Sequence, residues 1–60
     1  MRSAYKYELA DAAGVSRTTF WRWLKDNRAQ LSRYGVKDRS RMLPPRAVDW
    51  ICRQYGIDWK

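Results

Sequence analysis

Arg17, Thr18, Trp21, Arg22 and Lys25 fall on one side of a short stretch whose other side carries Phe20, Trp23 and Leu24. A guanidinium is a flat fork of donors that can meet two acceptors at once, whereas an ammonium is a mobile point charge. Set along one helical face, these groups suit a polyanion that also displays hydrogen-bond acceptors, and duplex DNA is such a polymer. An Arg in the first helical turn can bond a guanine edge in bidentate fashion, worth ~1–3 kcal/mol of discrimination between bases. Arg17 and Thr18 are the candidates for that role, beside the capping Ser16, while Arg22 and Lys25 lie further along and suit phosphates. Lys37, Arg39 and Arg41 alternate, so in a strand they would project to one side and suit backbone or minor-groove contact.

Charge distribution supports this reading. Nine of the thirteen basic residues lie between Arg17 and Arg46, against only Asp26 and Asp38 in that interval. The net charge of +7 and a pI of about 10.2 point to a polyanionic partner.

Catalytic chemistry has little footing. The chain has no histidine to act as a base near neutral pH or to complete an ordinary zinc-finger ligand set. The acids are scattered singly. The nearest pair, Glu8 and Asp11, shares an exposed helix face, where it solvates the helix or favours its N-terminal turn. The three glycines are too isolated to cradle a nucleotide phosphate. The expectation is therefore a binding protein and not an enzyme, with no cofactor, no metal and no small-molecule substrate. Cys52 stands alone, which excludes an internal disulfide, and it reads as a small buried hydrophobe.

The elements that must position the basic residues follow from short-range signals. Residues 1–4 read as a loose lead-in. A first helix is expected from Tyr5 to Ala13, with Leu9, Ala10 and Ala13 inward; Tyr5 stands where a capping box ahead of Glu8 would want Ser or Thr. Gly14 can end that helix in a left-handed conformation, Val15 is expected to be buried at the turn, and Ser16 is a natural N-cap. The second helix then spans Arg17 to Asp26. Asn27 would cap a short third helix over residues 27–34, with Ala29, Leu31 and Tyr34 as its apolar contacts and Gly35 at its end. Residues 35–43 fit two descriptions equally: a short hairpin turning near Asp38 to Ser40, or an irregular loop. Pro45 at the first helical position opens a last helix over 45–55. Val48, Ile51, Cys52 and Tyr55 form its core stripe, Gly56 ends it, and Ile57 and Trp59 fold back.

The expected fold class is mainly α: one helix-turn-helix domain of three or four helices over residues 1–60, with a short β-hairpin wing as one option. Its helix-turn-helix core covers residues 5–26 and its basic wing or loop residues 35–43. Sixty residues are near the lower limit for folding without a disulfide or metal, so the core must be dense. Four Trp, four Tyr and one Phe supply the area. At 45% hydrophobic and 32% charged residues, the chain does not read as disordered. No apolar run is long enough for a membrane span and no secretory h-region opens the chain. A cytoplasmic, nucleoid-associated protein of bacterial or phage origin is the simplest expectation.

The order helix, turn, helix, short helix, basic segment and final helix resembles the small winged helix-turn-helix proteins of the MerR and excisionase type. The matching residues are Glu8-Leu9-Ala10, Gly14-Val15-Ser16, Arg22-Trp23-Leu24 and the run from Arg41 through Met42-Leu43-Pro44-Pro45-Arg46-Ala47 to Val48. The chain looks especially like short, functionally unassigned helix-turn-helix proteins of Bacteroides-type bacteria. The resemblance covers residues 5 to 56 and brings no long coiled coil or effector domain with it. It implies that the second helix enters a major groove through Arg17, Thr18, Trp21, Arg22 and Lys25. It also implies that a wing bearing Lys37, Arg39 and Arg41 touches the flanking backbone.

Two functions remain in view. The first is sequence-specific binding of double-stranded DNA, as a small transcriptional regulator or as an excisionase-like architectural factor of a mobile element, with homo-oligomers forming on DNA. The second is a protein-interaction module docking a partner through exposed Trp21, Trp50 and Trp59. RNA binding is permitted by the charge, but the aromatic sheet platform expected for single strands is missing. Trp21 must be exposed if Trp23 is core. It would then meet a thymine methyl or the sugar-phosphate backbone, pack on Tyr34, or seed a dimer. Tyr5 and Tyr7 read as packing groups. The orientation of Arg17 and Arg22 discriminates the two functions: ion pairs with Asp26 or Asp49, or cover by the C-terminal tail, would weaken the DNA reading.

Overall fold

Short-range signals carry most of the architecture. In the computed structural model, which describes residues 2–37 and 39–59, the order is β1 (Ala4–Tyr5), α1 (Lys6–Ala13), α2 (Arg17–Asp26), α3 (Arg28–Ser32), β2 (Met42–Leu43) and α4 (Pro45–Tyr55). The fold is mainly helical, with a small antiparallel sheet. No helix among the described residues is long and apolar enough to cross a membrane.

The α1–α2 turn forms as expected from its residue types. Gly14 sits at φ 69°, a conformation that costs a side-chain-bearing residue free energy. It lets the Val15 N–H reach back to the Ala10 carbonyl (3.2 Å) and its own N–H reach the Asp11 carbonyl (3.1 Å), closing the helix end. Ser16 Oγ then accepts from the Thr19 N–H at 3.1 Å and starts α2. Val15 is half-buried at this turn and packs against the core. At the other end of α1, Glu8 Oε1 accepts from the Tyr5 N–H at 3.0 Å. That half of a capping box needs no side chain from Tyr5.

One hydrophobic core unites the elements. Leu9 and Ala10 of α1, Phe20 of α2, Leu31 of α3, Leu43 of β2, and Ala47, Val48, Ile51 and Cys52 of α4 are all buried. Trp23 and Leu24 are half-buried against it. Trp23 lies flat on Tyr55, with ring centroids 4.2 Å apart and planes 3° off parallel, so α2 and α4 share an aromatic seam. Asn27 locks that seam: its Nδ2 donates to the Trp23 carbonyl at 2.8 Å and to the Tyr55 hydroxyl. The expectation that Asn27 caps α3 is thereby corrected, because its side chain points back to α2 and α4. Ala29, expected as an apolar contact of α3, is exposed.

One more expectation changes, and of the two descriptions of residues 35–43 the loop is the one found among the described residues. The lead-in is not loose throughout, since Ala4 is buried and pairs with Leu43, with Tyr5 opposite Met42. Nor does Val36 pair with Met42–Leu43 in a hairpin; the partner of β2 is β1. Val36 is spent elsewhere. Its N–H reaches the Leu31 carbonyl at 3.2 Å and the Gly35 N–H reaches Ser32 at 3.1 Å, so together they close α3. The segment between is a loop, held by the Ser40 N–H on the Lys37 carbonyl (3.0 Å) and the Lys37 N–H on Ser40 Oγ (3.2 Å). The turn residue expected at Asp38 lies outside the described residues. The loop is tied down at its far end by the Lys6 N–H, which donates to the Arg41 carbonyl at 3.0 Å.

Candidate nucleic-acid interface

Burial of Phe20 on the inner side of α2 turns Arg17, Thr18, Trp21, Arg22 and Lys25 outward. These residues line one shallow groove along the helix. Trp21 is its centre. The ring is 40% exposed and braced from below by the fully buried Phe20, edge to face with centroids 6.1 Å apart. Ser16 lies at the N-terminal end, but its hydroxyl is engaged by Thr19, accepting from the backbone N–H and donating to Oγ1 at 3.0 Å. It therefore positions the groove's first turn and has little left to offer a ligand.

The loop residues meet this groove at Trp21, in two adjoining clefts. Arg39, Ser40 and Arg41 join Tyr5, Lys6, Tyr7, Arg17 and Trp21 in a second cleft. Lys37 joins Lys6, Trp21, Leu24, Lys25, Arg28, Leu31 and Val36 in a third. The expected common projection of Lys37, Arg39 and Arg41 from one strand is thus replaced by a division between two clefts. The physical cause is the Lys37–Ser40 turn, which reverses the chain where a strand would have run straight on.

The second cleft contains residues that sequence reasoning assigned to packing. Tyr5 and Tyr7 are 41% and 44% exposed, with rings stacked at 5.5 Å and 21°. Arg17 rests its guanidinium 5.7 Å from the Tyr7 ring centre, a cation–π contact that holds the side chain near α1. Lys6, only 7% exposed, lines both flanking clefts. Ala4-Tyr5-Lys6-Tyr7 thus alternates buried and exposed. That period of two is the signal that could have exposed the tyrosines, but a helix assigned from Tyr5 onward conceals it.

Among the described residues every charged group lining these clefts is a cation. No carboxylate lines any of the three clefts among the described residues. Asp49, one of the two acids that could have neutralised Arg17 or Arg22, pairs instead with Arg53, Nε to Oδ1 at 3.2 Å within α4. The Arg17 guanidinium lies against Tyr7, and among the described residues Arg17, Arg22 and Lys25 make no ion pair.

The remaining tryptophans behave differently from Trp21. Trp50 and Trp59 are half-buried and pack against the core. Trp59 is also covered by the Arg2 guanidinium, 4.6 Å from the ring centre. Cys52 is buried beneath α4, and desolvation, followed by the charge of Asp49, pushes its thiol pKa above the ordinary value. That suits a packing role, since the thiolate is disfavoured there.

Comparison with known proteins found no matching family model, no matching curated protein and no matching solved structure.

Proposed function

We propose that the protein binds double-stranded DNA in a sequence-dependent manner, with α2 in the major groove and the 37–41 loop on the flanking backbone. The observation that supports this reading is that, among the described residues, the clefts meeting at Trp21 are lined by cations and no carboxylate: Arg17, Arg22 and Lys25 of α2, with Arg39 and Arg41 in one adjoining cleft and Lys37 in another. An α-helix with its side chains is about 10–12 Å across and the major groove is about 12 Å wide, so the ten-residue α2 can enter it. Arg17 and Thr18, in the first turn, are placed to reach base edges. Arg22 and Lys25 suit phosphates. The Tyr5–Tyr7 cleft, with Arg39 and Arg41, offers hydroxyl and guanidinium donors to one strand's backbone.

The resemblance to MerR and excisionase proteins supports the same docking mode and suggests two roles, a small transcriptional regulator or an architectural factor of a mobile element. One module of this size buries about 600–1,000 Å² on DNA, so cooperative filling of adjacent sites by further copies would strengthen binding. Such a protein would work in the cytoplasm, on the nucleoid. Docking of a protein partner through tryptophans has weaker support, because Trp50 and Trp59 are packed against the core.

Fluorescence anisotropy against salt concentration tests the proposal. About five phosphate contacts give a slope of log affinity on log salt near −4 to −5. Changing Arg39 and Arg41 together to Ala should make that slope shallower by about 1–2 and weaken all sequences alike, whereas Arg17→Ala should weaken the preferred sequence most. A slope near zero for the wild-type protein would overturn the proposal.

A further inference from the structure

Trp21 is the one member of the α2 face that carries no charge and almost no hydrogen-bonding capacity, since an indole has one donor and no acceptor. It nonetheless occupies the centre of the surface, lining all three clefts. The expectation that it packs on Tyr34 is not met, because the Tyr34 hydroxyl accepts from Gln30 Nε2 at 3.2 Å and the ring contact found for Trp21 is with Phe20. Phe20 is fully buried and meets it edge to face with the ring planes 69° apart, so the indole is braced before any ligand arrives. A flat, apolar, pre-positioned surface ringed by guanidiniums needs a ligand with an apolar point among acceptors and phosphates. In a major groove the 5-methyl group of thymine is that point, since it is the one alkyl group that the four bases present there.

We infer that Trp21 reads thymine methyl groups, and that Arg17, one helical turn before it, reads an acceptor-bearing base beside them. The inference rests on the proposed DNA-binding function and gives the preferred site a chemical content: methyl-bearing pyrimidines next to guanine. Arg17 and Trp21 are four residues apart on α2, so their side chains lie one above the other on the same face. Tyr7 fixes the lateral position of Arg17 through the 5.7 Å cation–π contact. The cationic rim favours DNA over a second copy of this chain at the same face, since two such faces would repel each other.

The test uses the best-bound duplex selected from a random-sequence library. It is compared with duplexes in which deoxyuridine, which lacks only the methyl group, replaces thymine one position at a time. Wild-type protein should bind about fourfold more weakly for each methyl in contact, with the loss confined to one or two positions. Trp21→Ala should bind the thymine and uracil duplexes equally, with a circular dichroism spectrum like that of the wild type. Equal binding of both duplexes by the wild-type protein would overturn the inference and leave DNA binding intact, a comparison that needs no variant. Discrimination retained in Trp21→Ala would also overturn it, by assigning the methyl contact elsewhere. Failure of the library to yield any bound duplex would overturn the function itself. Sedimentation of the free protein as a Trp21-dependent dimer would assign the indole to a partner copy and contradict the inference.

Discussion

The two long helices, α2 and α4, divide the work of the molecule between them. α4 buries Ala47, Val48, Ile51 and Cys52 and pairs its own Asp49 with Arg53, so most of its side chains serve the core or each other. α2 fully buries only Phe20, rests Trp23 and Leu24 half-covered on the core, and leaves a row of cations and one indole outside. The Trp23–Tyr55 stack with Asn27 is the seam that ties α2 to α4. One helix stabilises, the other presents. The fully buried Phe20 and the Trp23–Tyr55 seam together anchor α2 while its outer face stays exposed.

Several substitutions break or sharpen that division. The largest effect belongs to α4: Ile51→Ala should cost ~2–5 kcal/mol, much of the stability of a domain this size, and appear as a lowered melting temperature by circular dichroism. Ser16→Ala removes the hydroxyl that caps α2 and should cost about 1 kcal/mol in denaturant unfolding. A loss as large as that of Ile51→Ala would show that α2 is not independently anchored by its seam.

Cys52 gives a smaller, pH-dependent effect. Its thiol pKa is raised in the folded protein by desolvation and then by Asp49, so the unfolded chain ionises first as pH rises. The stability contributed by the neutral buried thiol is complete below about pH 8.5 and is lost between there and the raised folded value. The wild-type minus Cys52→Ala difference in unfolding free energy should therefore fall with alkaline pH. A difference independent of pH would contradict the burial of the thiol.

The smallest effect on stability is expected on the exposed face of α2. Arg22→Ala with Lys25→Ala should stay within about 0.5 kcal/mol of the wild type in the same unfolding measurement. A larger loss would mean that these side chains hold the fold together and are not free to meet a ligand.

Legibility in the sequence followed the range of the interactions. The bounds of α2, the Gly14 turn, the Ser16 cap, the Pro45 start and the core stripe of α4 are set within a few residues, and each could be read directly. The pairing of Ala4–Tyr5 with Met42–Leu43 could not, because two-residue strands carry no periodicity and their partners lie far apart in the chain. That pairing turns Tyr5 outward, buries Ala4, and anchors the basic loop through the Lys6–Arg41 bond. Asn27 was misjudged for a related reason. Its residue type signals a local cap, but the acceptors it serves are the carbonyl of Trp23 and the hydroxyl of Tyr55, which only the folded seam brings together. For the candidate interface, the cations of α2 were visible, while the tyrosines and the split of the loop between two clefts emerged only from the fold.

The most direct test of the central claim is a titration of isotopically labelled protein with duplex DNA, followed by amide chemical shifts at low and high salt. Salt-sensitive shifts are expected on residues 16–25 and 36–42, extending to Tyr5 and Tyr7, with the α4 interior unmoved. Shifts that are absent, or scattered over α4 and the C-terminal segment, would contradict that claim.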